Sequence, residues 1–360
     1  MTALRQSMST LFAAGGLRVH YQPVIDLENG QVVGMEALVR LLDGAGEILA
    51  PARFLSFLSV DERRALTRAV LAQAVQDVAT WEAAGFPLSV SVNVEPELLT
   101  HDACLHCLTE IIGPSGIDPG RITLEILENG DFLSIASARQ RLLEIKATGV
   151  RLALDDVGSA YSSLLRLKEL PIDKIKLDQS FVRELARRPD NLHFVHSLLG
   201  LAQGLGVGFV AEGAETPEIL DALSALGVSQ AQGYAIARPM PAAEMLSWLR
   251  AYTPAPYRGP KSLLGLYACH LRFSDTMKTL LMQVPMIPAA ILAEIAAVSP
   301  VSGHVASLGL GISPIAQAYF RYQEAMAAIS VDMAAKKPKL TMIDEASALF
   351  LERIREALGG

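Results

Sequence analysis

Cysteine is nearly absent from this sequence: Cys104, Cys107 and Cys269 are the only three among 360 residues. A disulfide scaffold is therefore not what organises the chain, and a reducing, cytoplasmic location is the expectation. Also missing is any run of about 18 uninterrupted apolar residues, the length a membrane-spanning helix needs. The nearest approach, 284–301, contains Glu294 and three prolines. Positive charge is in deficit, with 31 Lys and Arg against 38 Asp and Glu and a formal net charge of −7. Non-specific binding to a nucleic acid polymer is not expected of such a chain. A small anionic ligand stays open to it, because metal ions or a few Arg and Lys can outweigh the global sign locally. Residues 1–16 carry one arginine and a short, interrupted apolar stretch, and do not read as a signal peptide. Internal repeats and low-complexity tracts are lacking as well.

What is present is apolar residue in abundance, 51% of the chain, enough for a sizeable core. Short apolar runs alternate with longer amphipathic stretches across 18–251. The runs at 18–25, 32–41, 88–94, 121–127, 150–156, 172–178, 207–213 and 228–234 predict eight strands. The stretches at 62–84, 134–148, 190–206 and 216–226 predict helices between them. Alternation of this kind calls for a parallel sheet, and eight strands in about 235 residues have the count and size of a TIM-like (β/α)8 barrel. The first two runs are separated by a turn containing Asn29-Gly30, a hairpin signal, so the first strand is expected to be antiparallel to the second.

The texture changes after Leu249. Residues 253–261, rich in Pro and Gly, read as a linker, and 262–360 show helical patterns without strand alternation. The expected domains are a barrel over 1–252 and an all-α accessory or regulatory module over 262–360.

A strand buried on both faces should be apolar, yet these strands carry acidic or amide residues near their C-terminal ends. Glu36 lies in the second, Asn93 in the third, Glu125 in the fourth, Asp155 and Asp156 in the fifth, Lys176 in the sixth and Glu212 in the seventh; Gln232 follows in the eighth. In a barrel all these ends point to one face, which carries the active site. Clustered carboxylates cost several kcal/mol each unless a cation compensates them. Oxygen donors without Cys or His select Mg²⁺ or Mn²⁺. Two such ions suit phosphate-ester hydrolysis, where they polarise phosphoryl oxygens, generate a hydroxide and stabilise the leaving oxygen. Asp155 and Asp156 could bridge the pair. Successive strand residues face opposite ways, however, so one of them is expected on the turn after the strand. Lys176 either neutralises developing charge or forms a structural salt bridge with the same carboxylates. Arg40, on the same face as Glu36, either pairs with a phosphate or makes a surface ion pair.

At this point the residues resemble a known family. Glu36-Ala37-Leu38 within EALVR has ordered companions: YQP at 21–23, SVNV at 91–94, LEILE at 124–128, LALDDVGSAYSSL at 152–164, IDKIKLD at 172–178, AEGAET at 211–216 and QGYAIARPMP at 232–241. This is similar to the EAL phosphodiesterases over nearly all of 18–245. The resemblance implies a barrel that cleaves cyclic di-GMP to linear pGpG with two Mg²⁺ or Mn²⁺ ions, Ca²⁺ being inhibitory, and a likeness to homodimers. It implies Glu36, Asn93, Glu125 and Asp155 as ligands of one metal, and Asp155, Asp156 and Glu212 as the set for the other. Lys176 and Gln232 would hold the attacking water, and Glu212 is either general base or ligand. Gln22, Leu38, Arg40, Asp178 and Gln232 would contact substrate, with Glu128 and Glu215 as support. The chain departs from the family after the acidic pair: Val157 and Ala160 stand where the pattern has Phe and Gly. That leaves room for a second reading, a catalytically weak or silent receptor that binds cyclic di-GMP and signals through a protein partner. A scaffold without ligand is disfavoured, since an unused carboxylate cluster would destabilise the fold.

Two features compete for attention. Cys104-Leu105-His106-Cys107, with His101 nearby, looks like half a zinc site but has no second half. His193 and His196, spaced i, i+3 on a helix, read as surface or interface residues. In the C-terminal region His270 and His304 lack the companions of a zinc-binding bundle. Met277, Met282, Met286, Met326, Met333 and Met342 are expected to fill core gaps.

Overall fold

The computed structural model describes residues 10, 15–95, 99, 102–127, 135–158, 167–283, 287, 291, 294–295, 299–334 and 340–359. Glu128, His101, Ser159, Ala160 and Met286, and the side chains of Cys104 and Met333, lie outside the described residues.

The chain begins with β1 (Leu17–Asp26) and β2 (Val32–Leu42), paired antiparallel from Leu17↔Leu41 to Ile25↔Val32. The turn between them is closed by Asp26, whose Oδ1 accepts from the amides of Glu28 and Asn29. Gly30 completes it with φ of +74°, a conformation that costs a side-chain-bearing residue. After the short β3 (Ile48–Leu49) comes α1 (Val60–Ala83), which opens on a capping box between Ser59 and Glu62. Then follow β4 (Ser89–Val94), α2 (Asp102–Ile112), β5 (Ile122–Leu127), α3 (Ile135–Lys146), β6 (Arg151–Val157) and β7 (Lys174–Leu177). They are succeeded by α4 (Gln179–Arg183), α5 (Asn191–Leu205), β8 (Gly208–Ala211), α6 (Pro217–Leu226), β9 (Gln230–Gln232), β10 (Met240–Pro241) and α7 (Ala242–Ala251).

Every strand from β2 through β4, β5, β6, β7 and β8 to β9 is parallel to its neighbour. β1 is antiparallel to both β2 and β9 and closes the ring between them. The result is a closed eight-stranded barrel wrapped by helices, with β3 and β10 as short antiparallel additions to β2 and β1. The eight expected strands and the antiparallel first pair are all found.

Behind the barrel come α8 (Leu263–Gln283), α9 (Pro300–Ser307), α10 (Pro314–Ala334) and α11 (Thr341–Ala357). They sit on the barrel's flank. Asp221 of α6 reaches across, and its Oδ2 accepts from the amides of Lys261 and Ser262 at 2.9 and 2.8 Å, capping the start of α8. Residues 253–261 have no regular structure but are pinned to the β1–β2 turn: the Tyr257 amide donates to Glu28 O at 2.9 Å. One contiguous apolar cluster runs from barrel residues such as Ile126 and Leu223 into Tyr267, Met277, Met326 and Phe350. Met277 and Met326 do fill the core, whereas Met282 and Met342 are 72% and 50% exposed, against the expectation. They lie on helix faces left uncovered by the described residues. No helix among the described residues is long and apolar enough to cross a membrane.

Candidate active site at the barrel mouth

The period-2 alternation of β2 puts Glu36, Leu38 and Arg40 on one face, and the neighbouring strands deliver the rest to the same end. In the strand registers Gln22 lies opposite Glu36, Asn93 opposite Glu125, and Leu127 opposite Asp155. At the centre stands Lys176. Its Nζ lies 2.6 Å from Glu212 Oε1, 2.8 Å from Glu125 Oε1, 3.4 Å from Glu36 Oε2 and 3.6 Å from Asp155 Oδ1. Lys176, Glu36, Glu125 and Asp155 are all buried.

One ammonium cannot balance four carboxylates, and the protonation behaviour follows from that. Burial lowers the Lys176 pKa, but Asp155, Glu125, Glu212 and Glu36 outweigh it and hold the lysine well above its usual range, so it stays charged. Burial pushes Glu125 up to about 8 against the pull of Lys176, with Glu36 and Asp155 adding to the rise. Burial likewise lifts Glu212 far above an ordinary carboxylate and raises Asp155. Glu36 is different. Burial opposes its charge, yet Lys176 and hydrogen bonds from Gln232 and Asn93 prevail and keep its pKa low. Those bonds run from Gln232 Nε2 to Oε2 at 2.6 Å and from Asn93 Nδ2 to Oε1 at 2.9 Å. Gln232 is itself steered by Gln22, whose Oε1 accepts from its Nε2 at 3.0 Å while Gln22 Nε2 donates to Ala237 O.

The acidic pair is presented by a bulge. The register between β6 and β7 shifts between Leu154 and Val157, and Asp156 has φ of +56°, the one non-glycine residue in the left-handed region among those described. The expectation that one of the two must sit on the turn after the strand is thus corrected. Both lie within β6, and the bulge rather than a turn defeats the alternation. Asp155, Asp156 and Glu212 then bring carboxylate oxygens within 4.8 Å of one another. Burial, then the charges of Asp155 and Asp178, push Asp156 up to about 6.

Above this cluster opens a cleft of about 740 Å³. Gln22, Glu36, Leu38, Arg40, Asn93, Asp155, Asp156, Glu212, Glu215 and Gln232, all singled out in the sequence, line it. Glu125 and Lys176 lie one layer deeper, beside a cavity of about 30 Å³. Asp178 is not in the lining. Its Oδ1 accepts from the Ser180 amide at 2.7 Å and caps α4, and the side chain also bonds Asp156. Glu215 pairs with Arg183 at 2.7 Å rather than with the acidic cluster. Sequence reasoning missed Tyr234, Arg63 and Glu95, which also line the cleft. Tyr234 is stacked under Arg238, 4.3 Å from ring centroid to guanidinium, and its place two residues after Gln232 was the available signal. Arg63 and Glu95 pair at 2.7 Å and come together only through the fold.

The donors fit hard divalent ions. They are carboxylate and amide oxygens without sulfur or imidazole. Glu125 Oε2 and Gln232 Oε1 are buried without a hydrogen-bond partner among the described residues, as ligand atoms awaiting a cation would be. Asp155, Asp156 and Glu212 form the one such cluster among the described residues, and His106, from the half-zinc motif, pairs with Glu110 instead.

A family model described as the EAL domain matches residues 3–239. The chain is 38% identical over 250 residues to an uncharacterized signaling protein of Caulobacter vibrioides, covering 68% of this chain and 30% of that one. It is 35% identical over 254 residues to the cyclic di-GMP phosphodiesterase PA2567 of Pseudomonas aeruginosa, covering 69% and 42%. The chain therefore spans less than half the length of either relative. Among solved structures, the PaMucR phosphodiesterase in complex with c-di-GMP matches with a TM-score of 0.62 and 29% identity, over 68% of this chain and 99% of that one.

Proposed function

This chain belongs to the EAL domain family, and from that premise we propose that it hydrolyses cyclic di-GMP to linear pGpG with Mg²⁺ or Mn²⁺ bound at the barrel mouth. The observation that carries the reading is the cage of four carboxylates around Lys176, with Glu125 Oε2 lacking a hydrogen-bond partner among the described residues, under a cleft of about 740 Å³. Glu36, Asn93, Glu125, Asp155, Asp156 and Glu212 would hold two ions. Once bound, the ions supply positive charge to the phosphoryl oxygens and the leaving oxygen.

The chain's own groups do the rest. Arg40, half-buried on β2 and facing the cleft, offers its guanidinium to a phosphate. Leu38 and Tyr234 give the nucleotide apolar contact in the same cleft. Lys176 remains an ammonium and donates to the oxygen of the attacking water, fixing it in line with the scissile bond. Glu212 takes the proton that water gives up. A new P–O bond forms, the P–O3′ bond breaks, the leaving O3′ takes up the proton that Glu212 returns, and one water is consumed. Gln22 and Gln232 keep Glu36 in its charged, oriented state. The barrel over 1–252 would be the catalytic unit, and the helices over 262–360 a regulatory one.

The test is chromatographic conversion of cyclic di-GMP to pGpG by purified protein with Mg²⁺ or Mn²⁺, alongside Glu36→Ala. Turnover that vanishes in the variant supports the proposal. Tight binding without turnover would replace it with a receptor. Ca²⁺, with its looser coordination, should inhibit.

A further inference from the structure

Gly158 follows the metal-site strand directly, two residues after Asp156, and has φ of +105°. A Cβ built on it would lie 3.1 Å from Phe181 Cε2 and 3.4 Å from Phe194 Cε1, so two aromatic rings close onto its backbone. Those rings stack with centroids 4.5 Å apart and planes at 24°. Phe181 belongs to α4, which begins just after the strand carrying Lys176, and Phe194 belongs to the first turn of α5.

That first turn is tied to the C-terminal helices. Asp190 occupies the N-cap of α5 but makes no side-chain bond to its own helix. An N-cap aspartate ordinarily accepts from the amide two or three residues on. Here Asp190 Oδ1 accepts instead from Tyr267 Oη of α8 at 3.0 Å and from Arg355 Nη2 of α11 at 2.5 Å. The same Tyr267 hydroxyl contacts His193 Nε2 at 3.2 Å, and His196 Nε2 pairs with Asp275 Oδ2 at 3.3 Å. The Asp190 carboxylate thus ties the first turn of α5 to α8 and α11 instead of capping its own helix. That same turn carries Phe194.

From this chain of contacts we infer that the C-terminal helices hold the metal-ligand bulge in place through α5. Tyr267, Arg355 and Phe194 are then positioning residues for ion binding, although none of them lines the cleft. The inference rests on the metal reading above. Ligand orientation set by groups behind the ligands is the part of a metal site such residues control, and its loss costs roughly 10–100-fold in affinity.

The experiment is calorimetric titration of metal-free, full-length protein with Mn²⁺, without substrate. Tyr267→Phe/Arg355→Gln should bind Mn²⁺ about tenfold more weakly than the unaltered chain. Phe194→Leu should lose a similar factor. Combining the three changes should add little, because both routes act through one ring pair. Arg353→Ala, which breaks only the exposed Arg353–Glu356 pair on α11, should leave affinity unchanged. Should the double variant lose its fold by circular dichroism, Tyr267→Phe alone, short of one hydroxyl, carries the comparison. Affinity within twofold of the unaltered chain in the clamp variants, or losses that multiply, would overturn the inference and leave the metal reading intact. An unaltered chain that binds no Mn²⁺ would remove both.

Discussion

Lys176 touches four carboxylates at 2.6–3.6 Å, so it balances charge in the cage, and in the proposed mechanism it also orients the attacking water. These two roles separate experimentally. Lys176→Ala should lower kcat by at least about 100-fold, the lower end for a positioned acid–base or electrostatic group, with a smaller change in substrate affinity. Equal turnover in that variant would remove Lys176 from the mechanism. Glu125 gives a prediction whose sign depends on metal. Its folded pKa, about 8, lies above its ordinary value near 4.5, so between these pH values the folded chain binds more protons than the unfolded one. Glu125 therefore contributes a loss of metal-free stability across that window as pH rises, opposed up to about pH 6.5 by the buried neutral His270. Glu125→Gln, neutral throughout, should flatten this loss and stabilise the chelated protein at pH 8 by on the order of 1–4 kcal/mol relative to the parent. The same change should abolish stabilisation by Mn²⁺. Thermal unfolding of parent and variant in EDTA and in Mn²⁺ at pH 5 and pH 8 measures both effects; a pH 5 to pH 8 difference in EDTA that is the same in Glu125→Gln as in the parent would refute the assignment. Most of these residues were legible in sequence because an acidic side chain inside an apolar strand violates the burial rule. The partners of Asp178 and Glu215 were not, because a side chain at a strand or loop end can turn to a cap or an arginine without leaving any mark in the residue pattern.

At the level of elements, the barrel was readable because most strands are short apolar runs bounded by turn residues, and the runs are separated by helical periodicity. The bulge in β6 was not. Strict alternation places Asp155 and Asp156 on opposite faces, and a left-handed residue leaves no signature beyond a composition that aspartate shares with ordinary strand ends. The backbone conformation makes its own prediction. Aspartate and asparagine tolerate φ of +56° better than other side-chain-bearing residues. Asp156→Asn should keep the fold and unfolding midpoint while weakening Mn²⁺ binding by more than tenfold, since a charged ligand is lost. Asp156→Val should lose metal and also about 1–3 kcal/mol of stability, the cost of forcing a β-branched residue into that conformation. Calorimetry and thermal unfolding on the two variants separate ligand from backbone. If both unfold at the same temperature, the strain assigned to this position is absent.

For the whole molecule, amphipathic helices over 262–360 could be read from the sequence, but not the surface they cover, because an apolar helical face does not name its partner. The structure shows that partner to be the barrel itself. The buried face of α6, with Ile219, Ala222, Leu223 and Leu226, belongs to the same core cluster as Leu264, Leu266, Tyr267 and Leu271 of α8. Asp221 supplies the cap for α8 from the middle of that face, and Gly265 is so close to it that a Cβ would lie 2.0 Å from its carboxylate. A chain ending at 252 would strip the α8 cover from the α6 side chains of this cluster and leave Asp221 without its partners. Each large apolar side chain stripped of its cover forfeits about 1.5–3 kcal/mol, so a few of them outweigh the roughly 5–15 kcal/mol margin of a typical domain. The 1–252 fragment should therefore be recovered as aggregate or unfold far below the full chain. Size-exclusion chromatography and thermal unfolding of the two forms decide the matter: a monodisperse fragment with the full chain's midpoint would mean that the helices rest on the barrel without supporting it.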